Sequence, residues 1–480
     1  MKTNPVVEKM LCAGRWVEAD STFPVYNPQD GRLLAEVPSA SKSDMEEAVE
    51  GAHRAFTARR PWPTHERMTV LKKAAAYVRE NQESFAEVIA LEGSKTITEA
   101  RGEVKRAVQT IEISAEEARR LKGETINFDQ NEGGENRVGY YQRFPIGVIG
   151  AITPFNDPLN LVAHKISPAI AAGNAIVLKP ASVTPLSALK LAEAFTAAGL
   201  PEGYLSVITG SGKDIGDTLI THPAVQMISF TGGPEAGDAI TKKAGTKKLS
   251  MELGSNSPVI VLNDADREEA VKACVSGAFS AAGQNCIGVQ RIYVEEQQYG
   301  AFLDEFAAAS AALHVGDKME ERTDVGPMIQ EKEALRVENW VEEAVSEGAE
   351  IVLGGRRDGT FYYPTILTGV PHDAKVAKEE IFGPVVLVHP VRNLDEAIEL
   401  SNSVNYGLQA GIFTNNIQKA FEAIQYMDVG GLMINDSSDY RIDEMPFGGT
   451  KGSGIGREGV RFSMEAMTEQ KVVCFRLNHR

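Results

Sequence analysis

Cysteine is scarce in this chain: four among 480 residues, at positions 12, 274, 286 and 474, too scattered to form metal-ligand pairs. So thin a set argues against a disulfide framework and fits a reducing compartment, so a cytoplasmic protein is expected. Histidine is nearly as sparse, eight in all and without an HExxH cluster, so no metal site is expected. Basic residues are outnumbered 49 to 66, which leaves a formal net charge of -17. Nucleic acids and anionic membranes both select positive surface, and neither is an expected partner. Long apolar runs are missing too. The richest region, 161–178, is interrupted by His164, Lys165, Pro168, Gly173 and Asn174, so it is no membrane span. The opening MKTNPVVEKMLCAGRW has no apolar stretch of secretory-leader length.

What is present reads as a globular protein of two or three domains, since the chain is too long for one core. Residues 43–121 carry apolar side chains at helical intervals. Residues 123–146 suggest an exposed hairpin, with Gly133 and Gly134 at its turn. From there apolar runs alternate with expected helices at 162–172, 185–198, 212–220 and 235–243, the rhythm of βαβ units around a mostly parallel sheet. A second alternating region opens at SPVIVLND and runs past 430. The tail ends as a strand with no partner in its neighbourhood.

Five stretches can carry chemistry. In SFTGGPEAGDAI, Gly232 and Gly237 lie between a strand and a helix, where backbone N–H groups can face a phosphate, although the GxGxxG spacing is absent. AIVLKPAS sets Lys179 at the carboxyl end of a strand, where open α/β sheets bind ligands. ITPFNDPLN holds Asn156 between two prolines, so its amide is stiffly directed, as oxyanion stabilisation requires. SMELGSNSP places Glu252 beside apolar residues, which raise a carboxyl pKa and suit it to act as a base. Cys286 follows Gly283, Gln284 and Asn285, a thin and polar approach of the kind a reactive thiol needs. Each has an ordinary alternative: a tight turn, a strand-capping charge, a surface glutamate, a buried thiol. None decides alone.

Together, over essentially the whole length, they resemble the aldehyde dehydrogenase superfamily. GQNC resembles its cysteine loop, ELGSNSP its general-base segment and PFNDPLN its oxyanion loop. VLKPAS, SFTGGPEAG and EEIFGPVV (379–386) resemble its cofactor elements, and MPFGGTKGSGIGREG (445–459) the loop leading to its tail. The resemblance implies an α/β fold with a Rossmann-like cofactor domain (1–122 and 144–253), an α/β catalytic domain (254–445), and a small β oligomerisation arm and tail (123–143 and 460–480). It implies Cys286 as nucleophile, Asn156 as oxyanion donor and Glu252 as hydrolytic base. Thr153, Lys179, Ser182, Gly232, Gly237, Glu380 and Phe382 are the implied cofactor residues. A base at 252 disfavours the coenzyme A-acylating relatives.

Departures from the common pattern set further expectations. Ser182 stands where NAD-preferring relatives often carry glutamate, so a 2'-phosphate meets no like charge and NAD and NADP are expected about equally. Asp157 and Asn285 make the pocket mouth polar, which suits a small polar aliphatic aldehyde rather than an apolar one. Ser437, Ser438 and Arg441 fall in the segment that resembles the substrate entrance, and Arg106 in a region that supplies anion-binding arginines in some relatives. Either arginine can grip a carboxylate, sulfonate or phosphonate. Lactaldehyde, glycolaldehyde or a sulfonated or phosphonated analogue is the expected substrate, with succinic semialdehyde as the alternative. A homodimer or homotetramer is expected from the arm.

Overall fold

Five short apolar runs build the first sheet, in the spatial order Lys248–Glu252, Val225–Thr231, Val148–Ile152, Ala175–Lys179 and Leu205–Val207, all parallel. Nearly every residue in them is buried, because helices cover both faces, and this is why they read as continuous apolar runs. The connecting helices, Asn160–Ala172, Leu186–Ala197, Gly212–Thr221 and Pro234–Lys243, fall where the apolar spacing put them. Strand order reverses between Val148–Ile152 and Val225–Thr231, and such a reversal opens a crevice at the carboxyl ends of its strands. Met10–Cys12 and Arg15–Val17 extend one edge antiparallel, and Gly454–Ile455 extends the other. These edge strands are too short to show an alternating pattern in sequence. The computed structural model describes residues 6–477; residues 1–5 and 478–480, at the outer ends of the first expected segment and of the tail, lie outside the described residues.

The second sheet has seven strands, ordered Glu350–Leu353, Thr365–Thr368, Val385–Val391, Val289–Glu295, Ser257–Val261, Gln409–Phe413 and Gly431–Ile434. Only the first pair is antiparallel. The hairpin appears as Glu124–Ile126 against Arg137–Pro145, with a short 3₁₀ turn at Phe128–Gln130 between them. Here the tail corrects the sequence reading. Thr468–Arg476 is not unpaired; it lies antiparallel along Arg137–Pro145 of the same chain, from Thr468 opposite Pro145 to Arg476 opposite Arg137. Its donors and acceptors are satisfied by a strand that is remote in sequence but close in space. Among the described residues no helix is long and apolar enough to cross a membrane.

A long helix, Ile97–Ala118, packs against Asn160–Ala172 and carries buried polar side chains toward the loops at the carboxyl ends of the first sheet. It opens on a reciprocal cap: the Thr96 hydroxyl accepts from the Glu99 N–H, and the Glu99 carboxylate accepts from the Thr96 N–H.

Candidate active site

A cavity of about 820 Å³ opens at the strand-order reversal. Thr153 and Gly232, just past the two flanking strands, line one side, and Asn156 lines it from the loop that comes after Ile152. Cys286, Glu380 and Phe382 line it from the second sheet's side, with the Phe155 and Phe382 rings edge to face at 5.8 Å. Arg106, Asp157, Asn285, Ser437 and Arg441 complete the wall.

The half-buried Cys286 comes after a strained turn. Ala281 and Ala282 have φ of 51° and 53°, and Gly283 has 68°. Left-handed backbone costs an alanine about 1–2 kcal/mol, so such a turn survives only where its surroundings hold it. The Ala281 N–H donates to Glu99 Oε1 at 2.7 Å. The Gln284 amide donates to the Ala281 carbonyl at 3.1 Å and accepts from the Ile329 N–H at 3.0 Å. Gly283 needs its missing side chain, because a Cβ there would sit 2.2 Å from the Gly383 carbonyl oxygen. Burial, and after it the Glu380 carboxylate, push the Cys286 thiol well up, while Arg441 pulls it down. Asn285 turns its side-chain oxygen onto the Ile287 N–H at 3.2 Å, so the NH₂ group is what it can offer a ligand.

Glu252 is 2% exposed, and both its carboxylate oxygens are buried without a hydrogen-bond partner among the described residues. Burial first, and then the charge of Glu458, raise its pKa well above the usual carboxylate range. It does not itself reach the cavity wall, which its neighbours Leu253 and Gly254 line. The sequence reading missed the group beside it. Lys165 and Glu458 form a buried ion pair, and Lys165, with Arg441 second, holds Glu458 at about 2 against the opposing effect of burial. Lys165 was legible only as a charge interrupting an apolar helix.

At the mouth, charges are mostly paired. Lys95, also missed in sequence, ion-pairs with both Asp157 and Glu103. Burial acts to raise Asp157, but Lys95 and then Arg106 keep it below its ordinary value. Asp157 is therefore a neutralised member of the wall rather than a free acid. Arg106 grips Asp443, Nη2 to Oδ1 at 2.8 Å, and Asp443 is held in turn by Asn160 at 3.1 Å and His164 at 2.8 Å. Arg441 differs. Its side chain is 7% exposed, its guanidinium stacks 3.6 Å from the Phe447 ring centre, and its ion pair with Glu458 is long, at 3.5 Å. Nε and Nη2 are buried without hydrogen bonds among the described residues. The Ser437 hydroxyl is turned onto Asp439. Ser438 corrects an expectation: fully buried, it donates to the Ile287 carbonyl at 2.8 Å and ties the mouth loop to the cysteine loop instead of facing the cavity.

A sequence profile of the aldehyde dehydrogenase family matches residues 16–473. The chain belongs to the aldehyde dehydrogenase family. The dehydrogenase is 49% identical, over 97% of both chains, to the 3-sulfolactaldehyde dehydrogenase of Priestia aryabhattai. Aldehyde dehydrogenase 21 from Physcomitrella patens, solved in complex with the reaction product succinate, superposes with a TM-score of 0.96 at 40% identity, covering 99% of each chain. An NADP-dependent glyceraldehyde-3-phosphate dehydrogenase from Bacillus halodurans, complexed with NADP, gives 0.96 at 38% identity over 98% of this chain and 99% of that one. The two sheets are thus the family's Rossmann-type NAD(P)-binding domain and catalytic domain, with the sheet of Glu124–Ile126, Arg137–Pro145 and Thr468–Arg476 as its small arm.

The dehydrogenase's own residues fit a dinucleotide. Lys179 is buried, and among the described residues its ammonium donates only to the neutral Pro180 carbonyl at 2.9 Å; burial lowers it to about 8. A buried cation without a carboxylate suits a ligand hydroxyl or phosphate. Ser182 donates to the Gly210 carbonyl at 2.9 Å and presents no charge. Glu380, raised to about 7 by burial, accepts from the Ser255 N–H at 2.8 Å while lining the cavity. The glycines need a correction. The Gly232 N–H is spent on the Glu252 carbonyl and that of Gly237 on Gly233 within the helix. Helix geometry leaves the amides of Glu235 and Ala236, in the first turn after Pro234, for an anion. Gly237 is small for another reason: a Cβ there would lie 2.4 Å from Leu253.

Proposed function

We propose that this NAD(P)-dependent enzyme oxidises a small aliphatic aldehyde bearing a carboxylate or sulfonate to the corresponding acid. One observation carries the reading: Arg441, deeply buried on the cavity wall, has nitrogens without hydrogen bonds among the described residues. Glu458, at 3.5 Å, offsets the charge of this guanidinium without hydrogen-bonding it, and a bidentate anion would complete its hydrogen bonds. The relatives' names agree in kind, since sulfolactaldehyde, succinate and glyceraldehyde-3-phosphate each carry an anionic group. A neutral hydroxyaldehyde such as lactaldehyde is the second reading, favoured by the Asn285 amide at the wall.

In this reading the Cys286 thiolate attacks the aldehyde carbon, and the Asn156 amide holds the oxyanion of the resulting thiohemiacetal. When bound, NAD or NADP supplies the hydride acceptor that leaves a thioester on Cys286. Glu252 takes a proton from the water that attacks this thioester, and the acid departs with the thiol restored. Lys165 keeps Glu458 charged, and that charge keeps Glu252 basic. Lys179 and Ser182 would accept either cofactor, the amides of Glu235 and Ala236 would serve its phosphates, and Thr153, Glu380 and Phe382, on the cavity wall, would hold its nicotinamide end.

The proposed units are 1–122 and 144–253 for the cofactor, 254–445 for catalysis, and 123–143 and 460–480 for assembly. The exposed Ile417, Phe421 and Ile424 recur on one face of the helix Ile417–Tyr426, an apolar face that suits a homodimer or homotetramer in the cytoplasm. Initial rates of NADH and NADPH formation from sulfolactaldehyde, succinic semialdehyde, lactaldehyde, glycolaldehyde and benzaldehyde test the substrate class. The anionic aldehydes are expected to lead in kcat/KM; lactaldehyde or glycolaldehyde ahead of both would overturn the proposal in favour of the second reading.

A further inference from the structure

The nucleophile and the oxyanion amide lie on loops of different sheets, and one helix touches both. Glu99, Glu103, Arg106 and Thr110 fall on one face of Ile97–Ala118, at intervals of four, three and four residues. Glu103 Oε1 accepts from the Leu159 and Asn160 N–H groups at 2.8 and 2.9 Å, and Lys95, just before the helix, pairs with Asp157. Those contacts hold the Asn156 loop from its far end and its middle. Thr110 donates to the Asn160 side chain at 2.9 Å, further along the same face.

Glu99 reaches the other way. Its half-buried carboxylate divides between two main chains, Oε2 accepting from Thr96 at 2.9 Å and Oε1 from Ala281 at 2.7 Å. Ala281 is the first of the three left-handed residues before Cys286. We infer that Glu99 is a positioning residue of the reaction: it locks the strained turn to the helix that braces the Asn156 loop, and so sets the thiol in register with the oxyanion donor. The cap alone would need only one of its oxygens. The second spans from the helix to the cysteine loop and satisfies a backbone donor that the left-handed turn has removed from any ladder. The inference rests on Cys286 being the nucleophile.

The test compares Glu99→Asp, Glu99→Gln and Glu99→Ala, each rate expressed per active site titrated by alkylation of Cys286, with Cys286→Ser alongside, expressed per mole of folded protein. Aspartate still caps the helix but is too short to reach Ala281, so kcat is expected to fall about 30-fold, within the cost of a small misplacement of reacting groups. The aldehyde KM is expected to stay within about 3-fold, since no substrate contact is lost. Glutamine keeps one acceptor long enough to reach the Ala281 N–H but loses the second one at Thr96, so kcat is expected to recover to within about 10-fold of the wild type, whereas alanine, where it folds, matches aspartate. An aspartate variant with unchanged kcat, or a glutamine variant as slow as aspartate, overturns the inference while Cys286→Ser is inert. Turnover surviving in Cys286→Ser overturns the nucleophile assignment and this inference with it.

Discussion

The mouth and the inner end of the cavity treat buried charge in opposite ways. At the mouth Asp157 is matched by Lys95, and Arg106 by Asp443, so each charge is spent within the protein. Further in, Glu252, just behind the wall, has no hydrogen-bond partner on either oxygen among the described residues, and Arg441 keeps unbonded nitrogens beside a long ion pair. Charges hydrogen-bonded within the protein shape and orient; those left without hydrogen bonds can act on something else. That contrast separates the groups that hold the site from the groups that use it.

Glu252→Gln should break the contrast most severely. Loss of a general base costs about 10²–10⁴-fold, and here the loss falls on thioester hydrolysis. A pre-steady-state burst of reduced cofactor, one per active site, should therefore survive while steady turnover collapses. Arg441→Ala comes next. Removing a buried, charge-assisted grip should lower kcat/KM for the anionic aldehyde about 100-fold and leave a neutral aldehyde of similar size within about 3-fold. Arg106→Ala sharpens the comparison, because its guanidinium is already engaged by Asp443. The same pair of substrates should separate by only about 10-fold, the smaller share left to a charge that is already paired.

The smallest effect is on pH. Glu252 must be ionised to act as a base, and its pKa is raised by burial and by Glu458, so hydrolysis should rise with pH through a midpoint above the usual carboxylate range. Glu458→Gln removes the neighbouring negative charge while Lys165 stays, so the midpoint should move to lower pH. A kcat profile of the two enzymes checks the sign; a shift upward would mean that Glu458 does not bear on the base.

Much of this site was legible because its residues sit in local patterns. The prolines around Asn156, the glycine before Cys286 and the alternation of apolar runs with helices are short-range features, and the structure reproduces them. The helices between 160 and 243 fall within a few residues of their expected ends. What escaped were residues whose role depends on a remote partner. Lys95, Glu103, Lys165, Asp443 and Glu458 are ordinary charges in sequence; their burial and pairing arise from contacts between segments far apart in the chain. One signal was available: Glu99, Glu103, Arg106 and Thr110 recur at helical spacing, which is a polar stripe on one face of the helix, buried at Glu103 and Thr110. The tail strand escaped for the same reason, since its ladder lies on Arg137–Pro145.

The sequence by itself determined the elements and the chemical inventory: two α/β regions, a thiol on a flexible approach, a carboxylate among apolar residues, an amide between prolines. These arise from backbone preference and apolar spacing, which act over a few residues. Only the tertiary structure decided which charges are free. The amides of Gly232 and Gly237, the hydroxyl of Ser438 and the acid of Asp157 were taken up by partners, while Glu252 and Arg441 were left with unbonded polar atoms. Whether a polar group is satisfied depends on what packs against it, and packing is settled only when the whole chain has folded.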